Sequence, residues 1–272
     1  MPKHLTPDQV AAYERDGFVC PIDALSPAET AQARAELQAW EGERGAAIDF
    51  PEKSKSYLLF DWADRLVHHP KILDAVEDII GPDILVYHST LFVKEAQTPA
   101  YVRWHQDSTY FYLSPHLHIT AWVALSDASI AAGCMHGLAG SHRWGAFEHD
   151  DKPEPMNMIR RGQGISDRFD QETGTPMPVG PGQMSLHHTD LVHASGGNAT
   201  DDRRLGYAIS YIPASVRPTG KVQPSALCVR GRDHGHFLPE QRLAQALSPE
   251  AREAHTQALA KFRALQDAGF AG

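Results

Sequence analysis

The sequence predicts a mainly β protein: a mostly antiparallel β core with helices at one end and on its flank. Three observations carry this. Segments 84–93, 117–125, 184–193 and 205–212 are short, rich in β-branched and aromatic residues, and read as strands. The first 80 residues and a stretch near the C-terminus instead carry helix caps and helical apolar spacing. Neither G-x-G-x-x-G nor G-x-x-x-x-G-K-[ST] occurs, so a nucleotide-binding α/β fold has no support.

The elements follow in order. A helix starts after Thr6, which can cap it, with Pro7 suited to the first helical position. It ends near Gly17, before the strand-like run Phe18-Val19-Cys20. A second helix starts after Ser26, with Pro27 next and Glu29 completing a capping box, and runs to about Trp40. The polar stretch 42–56 reads as a loop, and a third helix, 71–80, ends at Gly81-Pro82. The four strand segments come next, with glycines and prolines crowding 162–182 in the pattern of turns. The last element is a helix over about 249–266, starting after Ser248, with Ala251, Ala254, Ala258, Leu259, Phe262 and Leu265 at its apolar positions. No repeat or linker divides the chain. It reads as a single domain over 1–272, mostly helical in 1–80 with a β core over about 84–213.

Composition narrows the function. The chain has 25 basic and 34 acidic residues, a formal charge of −9, and no basic cluster, which argues against a nucleic-acid partner. Cys20, Cys134 and Cys228 form no CxxC pair, which suits a reducing, cytoplasmic setting. The N-terminal stretch lacks the apolar run of a signal peptide, and no segment is apolar for the roughly 18 residues of a membrane span. A small-molecule enzyme is the expectation.

Three sites carry chemistry. His105 and Asp107 are two apart, and on an extended strand residues i and i+2 face the same side. One imidazole and one carboxylate make two thirds of a 2-His-1-carboxylate triad, which binds iron(II) and leaves coordination positions open. Downstream, His187, His188 and His193 compete for the third place; His187 and His193 share a strand face by even spacing. Finally, Arg203 and Arg204 precede an inward-facing strand, where an arginine can grip a carboxylate through two hydrogen bonds.

In combination the pattern resembles the phytanoyl-CoA dioxygenase family of iron(II)/2-oxoglutarate oxygenases. The likeness runs from the opening helix with Asp16-Gly17-Phe18 to about Pro213. It includes Trp104-His105-Gln106-Asp107 through Tyr110, Gly133-Cys134-Met135, Gly140-Ser141-His142 and His193-Ala194-Ser195-Gly196-Gly197-Asn198. The resemblance implies a double-stranded β-helix (a cupin-like jelly roll) and iron(II) held by His105, Asp107 and His193. It further implies 2-oxoglutarate held by Arg204, eleven positions after His193, with Trp122, Ser195, Lys94 and Thr120 around it, and O₂ as co-substrate. Related halogenases have alanine or glycine at the place of Asp107, so the carboxylate favours hydroxylation.

Arg103, Gln106, Thr109, Tyr110, His136 and His142 lie near the ligands in sequence. They suggest contacts to a small polar or anionic substrate, such as an amino acid, phosphonate or carboxylate. The competing expectations are a cupin-like metal enzyme without 2-oxoglutarate and a non-enzymatic β-sandwich binding protein. A homo-oligomer is open, since the C-terminal helix could pack on its own chain or on a partner.

Overall fold

The four strand segments pair with one another in a computed structural model that describes residues 2–150, 154–159, 164–165, 169–170, 173–242 and 244–270. In chain order the strands are β1 (Phe18–Asp23), β2 (Ile84–Lys94), β3 (Val102–His105), β4 (Leu113–Ser114), β5 (Ile119–Ala124), β6 (Met135–Gly137), β7 (Thr175–Met177), β8 (Gln183–His188), β9 (His193–Ser195), β10 (Arg204–Pro213), β11 (Arg217–Pro218), β12 (Ser225–Arg230) and β13 (Leu238–Pro239). The helices are α1 (Pro7–Asp16), α2 (Pro27–Arg44), α3 (Asp61–Val67), α4 (Pro70–Ile80), α5 (Ser108–Phe111) and α6 (Pro249–Phe270). A seven-stranded sheet runs β1-β8-β5-β10-β2-β12-β13, and a four-stranded sheet runs β3-β9-β6-β7. Together they form the jelly roll, flanked by the N-terminal helices and α6.

The large sheet divides its two faces by strand parity. On β10, Leu205, Tyr207, Ile209 and Tyr211 join the apolar core shared with the helices. Arg204, Ala208 and Ser210 border the interior cavity instead. A bulge opposite Ser210 and Tyr211 shifts the phase of β2. Ile84 and Val86 before it, and Leu91 and Val93 after it, lie against the helical core. His88, Thr90 and Phe92 therefore turn inward together.

Several boundaries differ from expectation, each for a physical reason. The segment 184–193 is not one strand. The Leu191 amide donates to the His188 carbonyl at 2.9 Å, closing a turn, and His193 opens β9 in the small sheet. Helix α2 continues past Trp40 to Arg44 and stops where Gly45 adopts φ +69°. Helix α3 lies in a stretch with no side-chain cap to announce it. Strand β12 extends the sheet beyond 213, pairing with β2. The turn-rich stretch 162–182 falls partly outside the described residues; its described part holds β7.

The C-terminal helix packs on its own chain. His255 Nε2 meets the Ser54 carbonyl at 2.8 Å, and Phe262 and Leu265 are buried against Tyr87 and Phe111. Among the described residues, no helix is long and apolar enough to cross a membrane.

Candidate metal centre and adjoining cavity

Strands β3 and β9 pair with His105 directly opposite His193, which sets the two imidazoles 4.1 Å apart between ring centres. Each ring is oriented by the backbone. His105 Nδ1 lies 2.8 Å from the Arg103 carbonyl, and His193 Nδ1 lies 2.9 Å from the Leu191 carbonyl. A carbonyl can only accept, so Nδ1 donates in both rings and Nε2 is the nitrogen left to face the centre. Burial, then the neighbouring His105, holds His193 far below the usual histidine range, so it stays neutral as a metal ligand must.

Asp107 arrives by a different route from the one strand parity predicts. Strand β3 ends at His105, and Asp107 has helical backbone angles, φ −62° and ψ −32°, at the start of α5. The chain thus turns off the strand and brings the carboxylate back. Asp107 Oδ1 lies 3.5 Å from His105 Nε2 and 3.9 Å from His193 Nε2. The three donor atoms of His105, Asp107 and His193 all lie within 4.8 Å of one another. Burial pushes the Asp107 carboxyl up, but hydrogen bonding from His105 and His187 and the nearby His193 outweigh it. The group is held well below the usual carboxylate range. Two imidazole Nε2 atoms and one carboxylate make a borderline donor set suited to iron(II) with open positions.

The other two histidines separate. His187 Nε2 faces Asp107 Oδ2 at 3.5 Å. His188 points elsewhere: its Nδ1 accepts from the Asp190 amide at 3.1 Å, and its ring sits 5.4 Å from that of His142. Thr120, expected beside 2-oxoglutarate, borders the cavity and donates to Asp107 Oδ2 at 3.0 Å.

A second group of charges meets the same cavity at Arg204. Lys94 and Arg204 are register partners at the ends of β2 and β10, with 0% and 2% of their surface exposed. Arg204 Nη1 donates to the Gly133 carbonyl at 2.7 Å, its guanidinium lies 5.1 Å from the Trp122 ring centre, and its Nε has no partner. Lys94 donates to Ser195 Oγ at 2.8 Å and to the Gly196 carbonyl. Among the described residues neither cation has a carboxylate partner. Burial, then the Arg204 charge, lowers Lys94 to about 6, and burial lowers Arg204 to about 10. Two adjacent buried cations without an anion are costly unless a ligand supplies one. The dianion 2-oxoglutarate fits that need, with one carboxylate to give the metal and one to give the cations. Arg203 is the opposite case, tied to Glu41 at 2.6 Å and Glu95 at 3.0 Å.

Two glycines make room for this arrangement. A Cβ on Gly206 would sit 1.7 Å from the Trp122 ring, so the indole under Arg204 needs a glycine there. Gly133, whose carbonyl holds Arg204, has φ +73° and packs on the Gly197 carbonyl so closely that a Cβ would be 2.4 Å from it.

The cavity that joins the two ends measures about 240 Å³. Of the six residues expected at the substrate, Tyr110 borders it. Gln106 is fully buried and pinned, donating to the Gly145 and Asp190 carbonyls and accepting from the Phe147 amide. Thr109 meets His149 at 3.1 Å. Arg103 pairs with Asp150 at 2.8 Å and, with His136, borders a second cavity by the small sheet. His142 packs beside His188. The sequence reading missed His88, Thr90, Ser210 and Phe262, all of which line the main cavity. Alternation along β2 carried that signal, but the bulge that sets its phase has no local signature.

The family model described as Phytanoyl-CoA dioxygenase (PhyH) matches residues 13–206. The fold is similar to the solved structure of the non-heme monooxygenase ThoJ in its apo form. The TM-score is 0.86 and the identity 36%, over 97% of this chain and 99% of that one. A structure of the epimerase SnoN in complex with Fe3+, alpha ketoglutarate and nogalamycin RO has TM-score 0.62 and 26% identity, over 78% and 86% of the two chains. Among curated proteins, a probable alpha-ketoglutarate-dependent hypophosphite dioxygenase of Stutzerimonas stutzeri is 30% identical over 60% of this chain and 57% of its own length. The chain spans 50 to 62% of the length of the first curated relatives it matches.

Proposed function

Because the chain belongs to the phytanoyl-CoA dioxygenase family of Fe(II)/2-oxoglutarate oxygenases, we propose that it hydroxylates a C–H bond of a small-molecule substrate. The observation that carries this reading is one cavity lined by a His-Asp-His donor set and by the buried Arg204, which, like its register partner Lys94, has no anion among the described residues. In this reading His105, Asp107 and His193 hold the iron. Arg204, supported by Lys94, Trp122 and Ser195, holds the far carboxylate of 2-oxoglutarate. Together the iron and 2-oxoglutarate supply the oxidising power, with O₂ consumed and succinate and CO₂ released. The protein positions the reactants and excludes water. Asp107 fills the place that chloride would need in a halogenase.

The substrate reading shifts with the structure. Arg103, His136 and His142, which suggested an anion, do not border the main cavity. Apart from Arg204, the described lining carries one Lys or Arg, Lys53, which pairs with Asp49 at 2.9 Å. His88 is kept neutral, because burial holds it far below the usual histidine range. Thr90, Ser210 and Tyr110 offer further uncharged hydrogen-bonding groups, set against Phe111, Phe262 and Met158. A small substrate with neutral polar groups on an apolar body suits these walls better than a strongly anionic one.

Iron-loaded protein given 2-oxoglutarate and air tests the reaction directly. Succinate should form slowly without substrate and faster with the right one. Folded, iron-loaded protein that forms no succinate with or without candidate substrates would sink the reading.

A further inference from the structure

The large sheet brings one more histidine to the metal centre than a three-ligand set uses. Thr120 on β5 and His187 on β8 are register partners, so their side chains leave the inner face side by side. Both reach the same atom. Asp107 Oδ2 receives the Thr120 hydroxyl at 3.0 Å and faces His187 Nε2 at 3.5 Å, while Oδ1 faces His105 and His193. His187 is 2% exposed, and its buried Nδ1 has no hydrogen-bond partner among the described residues. A buried N–H without an acceptor is the costlier state, so the proton belongs on Nε2, directed at the carboxylate. Behind Thr120 stands His118, with Nε2 3.3 Å from the hydroxyl oxygen. Thr120 has one proton and gives it to Asp107, so it accepts from His118.

The geometry points to His187 and Thr120 as positioning residues that hold Asp107 Oδ2 and leave Oδ1 alone to bind iron. The inference rests on the metal-centre reading above. Its consequence is the number of open positions. A carboxylate bound through one oxygen leaves three places on a six-coordinate ion, two for 2-oxoglutarate and one for O₂. A carboxylate free to rotate could bind through both oxygens and occupy one of them. His187 is itself not a ligand in this account, since its approach is to Oδ2 and the donor atoms that cluster are those of His105, Asp107 and His193.

The test is Co(II) titration of the full metal-free chain by calorimetry, with thermal melts to confirm folding, for wild type, His187→Phe, His187→Gln and Thr120→Val. The expected result is a 10- to 100-fold loss of Co(II) affinity for His187→Phe, the scale typical of groups that orient metal ligands. Gln keeps an N–H donor and should stay within about threefold of wild type. The near-isosteric Thr120→Val should lose about 10-fold. Wild-type affinity in His187→Phe would overturn the inference, because space-filling alone then suffices. So would a loss in His187→Gln equal to that in His187→Phe, because the donor would not be what matters. If His187→Phe does not fold, Thr120→Val decides, and unchanged affinity there overturns the proposal. A wild type that binds neither Co(II) nor Fe(II) would instead remove the metal-centre reading itself.

Discussion

The two ends of the cavity handle charge in opposite ways. At the metal end a carboxylate sits among imidazoles that favour its ionised form, so the site is electrostatically satisfied before an ion enters. At the other end Lys94 and Arg204 lie side by side, buried, with no acid among the described residues to offset them. The small sheet and the turn after it build the first; the large sheet builds the second. A structural core would avoid the second arrangement, because unpaired buried charge destabilises the fold. Next to a metal-ligand set, the pair is where the proposed 2-oxoglutarate site would supply the missing anion.

The largest effect should come from breaking the metal end. His105→Ala, Asp107→Ala or His193→Ala should each lower Fe(II) affinity and iron-dependent succinate formation by more than about 100-fold, beyond the loss expected for a merely orienting group. Calorimetry with Fe(II) under anaerobic conditions checks the first, and succinate release the second. Next comes the cation end. Arg204→Ala leaves a carboxylate without its charged hydrogen bonds, worth about 2–5 kcal/mol, and should raise the 2-oxoglutarate requirement by about 30-fold to several thousandfold with metal affinity retained. Arg203→Ala removes a part-buried pairing to Glu41 away from the cavity and should leave that requirement unchanged. The reverse pattern would contradict the assignment of Arg204.

Lys94→Met sharpens the comparison further, because it should move ligand binding and stability in opposite directions. The 2-oxoglutarate affinity should fall about 10-fold, while the ligand-free protein should melt higher, since the cost of burying an amine that must give up its proton is gone. The pH dependence has a definite sign. Lys94 is lowered from 10.5 to about 6 in the folded chain, so between these values the unfolded chain binds more protons. Stability of the ligand-free protein should therefore rise with pH from about 6 toward 10, and Lys94→Met should flatten that rise. Thermal melts across this range, with and without 2-oxoglutarate, separate the two behaviours. The smallest effect is expected from Gly206→Ala. The added methyl must displace Trp122 from beneath Arg204, which should raise the 2-oxoglutarate requirement about threefold through lost cation–π contact. An unchanged requirement would mean that Trp122 does not seat Arg204.

Legibility followed the range of the interactions. Helices α1 and α2 were readable because their caps are local: Thr6 and Ser26 each form a capping box with the residue three positions on. Strands β2, β5 and β10 were readable because each spans enough residues for composition to register. Strands β6, β7 and β9 have three residues each, too few for any periodicity. His105 and Asp107 do converge, but through a turn into α5 rather than along a strand, and even spacing is not what brings His187 near His193. The chain breaks at the His188 turn, and sheet pairing restores the proximity. The same limit hid the substrate wall. His88 faces inward because of a bulge set by β10, and Gln106 turns into the protein because the 145–147 backbone is there to receive it.

The central claim is that one cavity binds iron(II) at His105, Asp107 and His193 and 2-oxoglutarate between that iron and Arg204. Anaerobic titration of the metal-free protein with Fe(II) and then 2-oxoglutarate tests it most directly, through the weak visible charge-transfer band of the chelated pair. The account predicts a band that saturates at one equivalent of each and that needs far more 2-oxoglutarate in Arg204→Ala. Folded, iron-loaded protein that shows no band at saturating 2-oxoglutarate would contradict it.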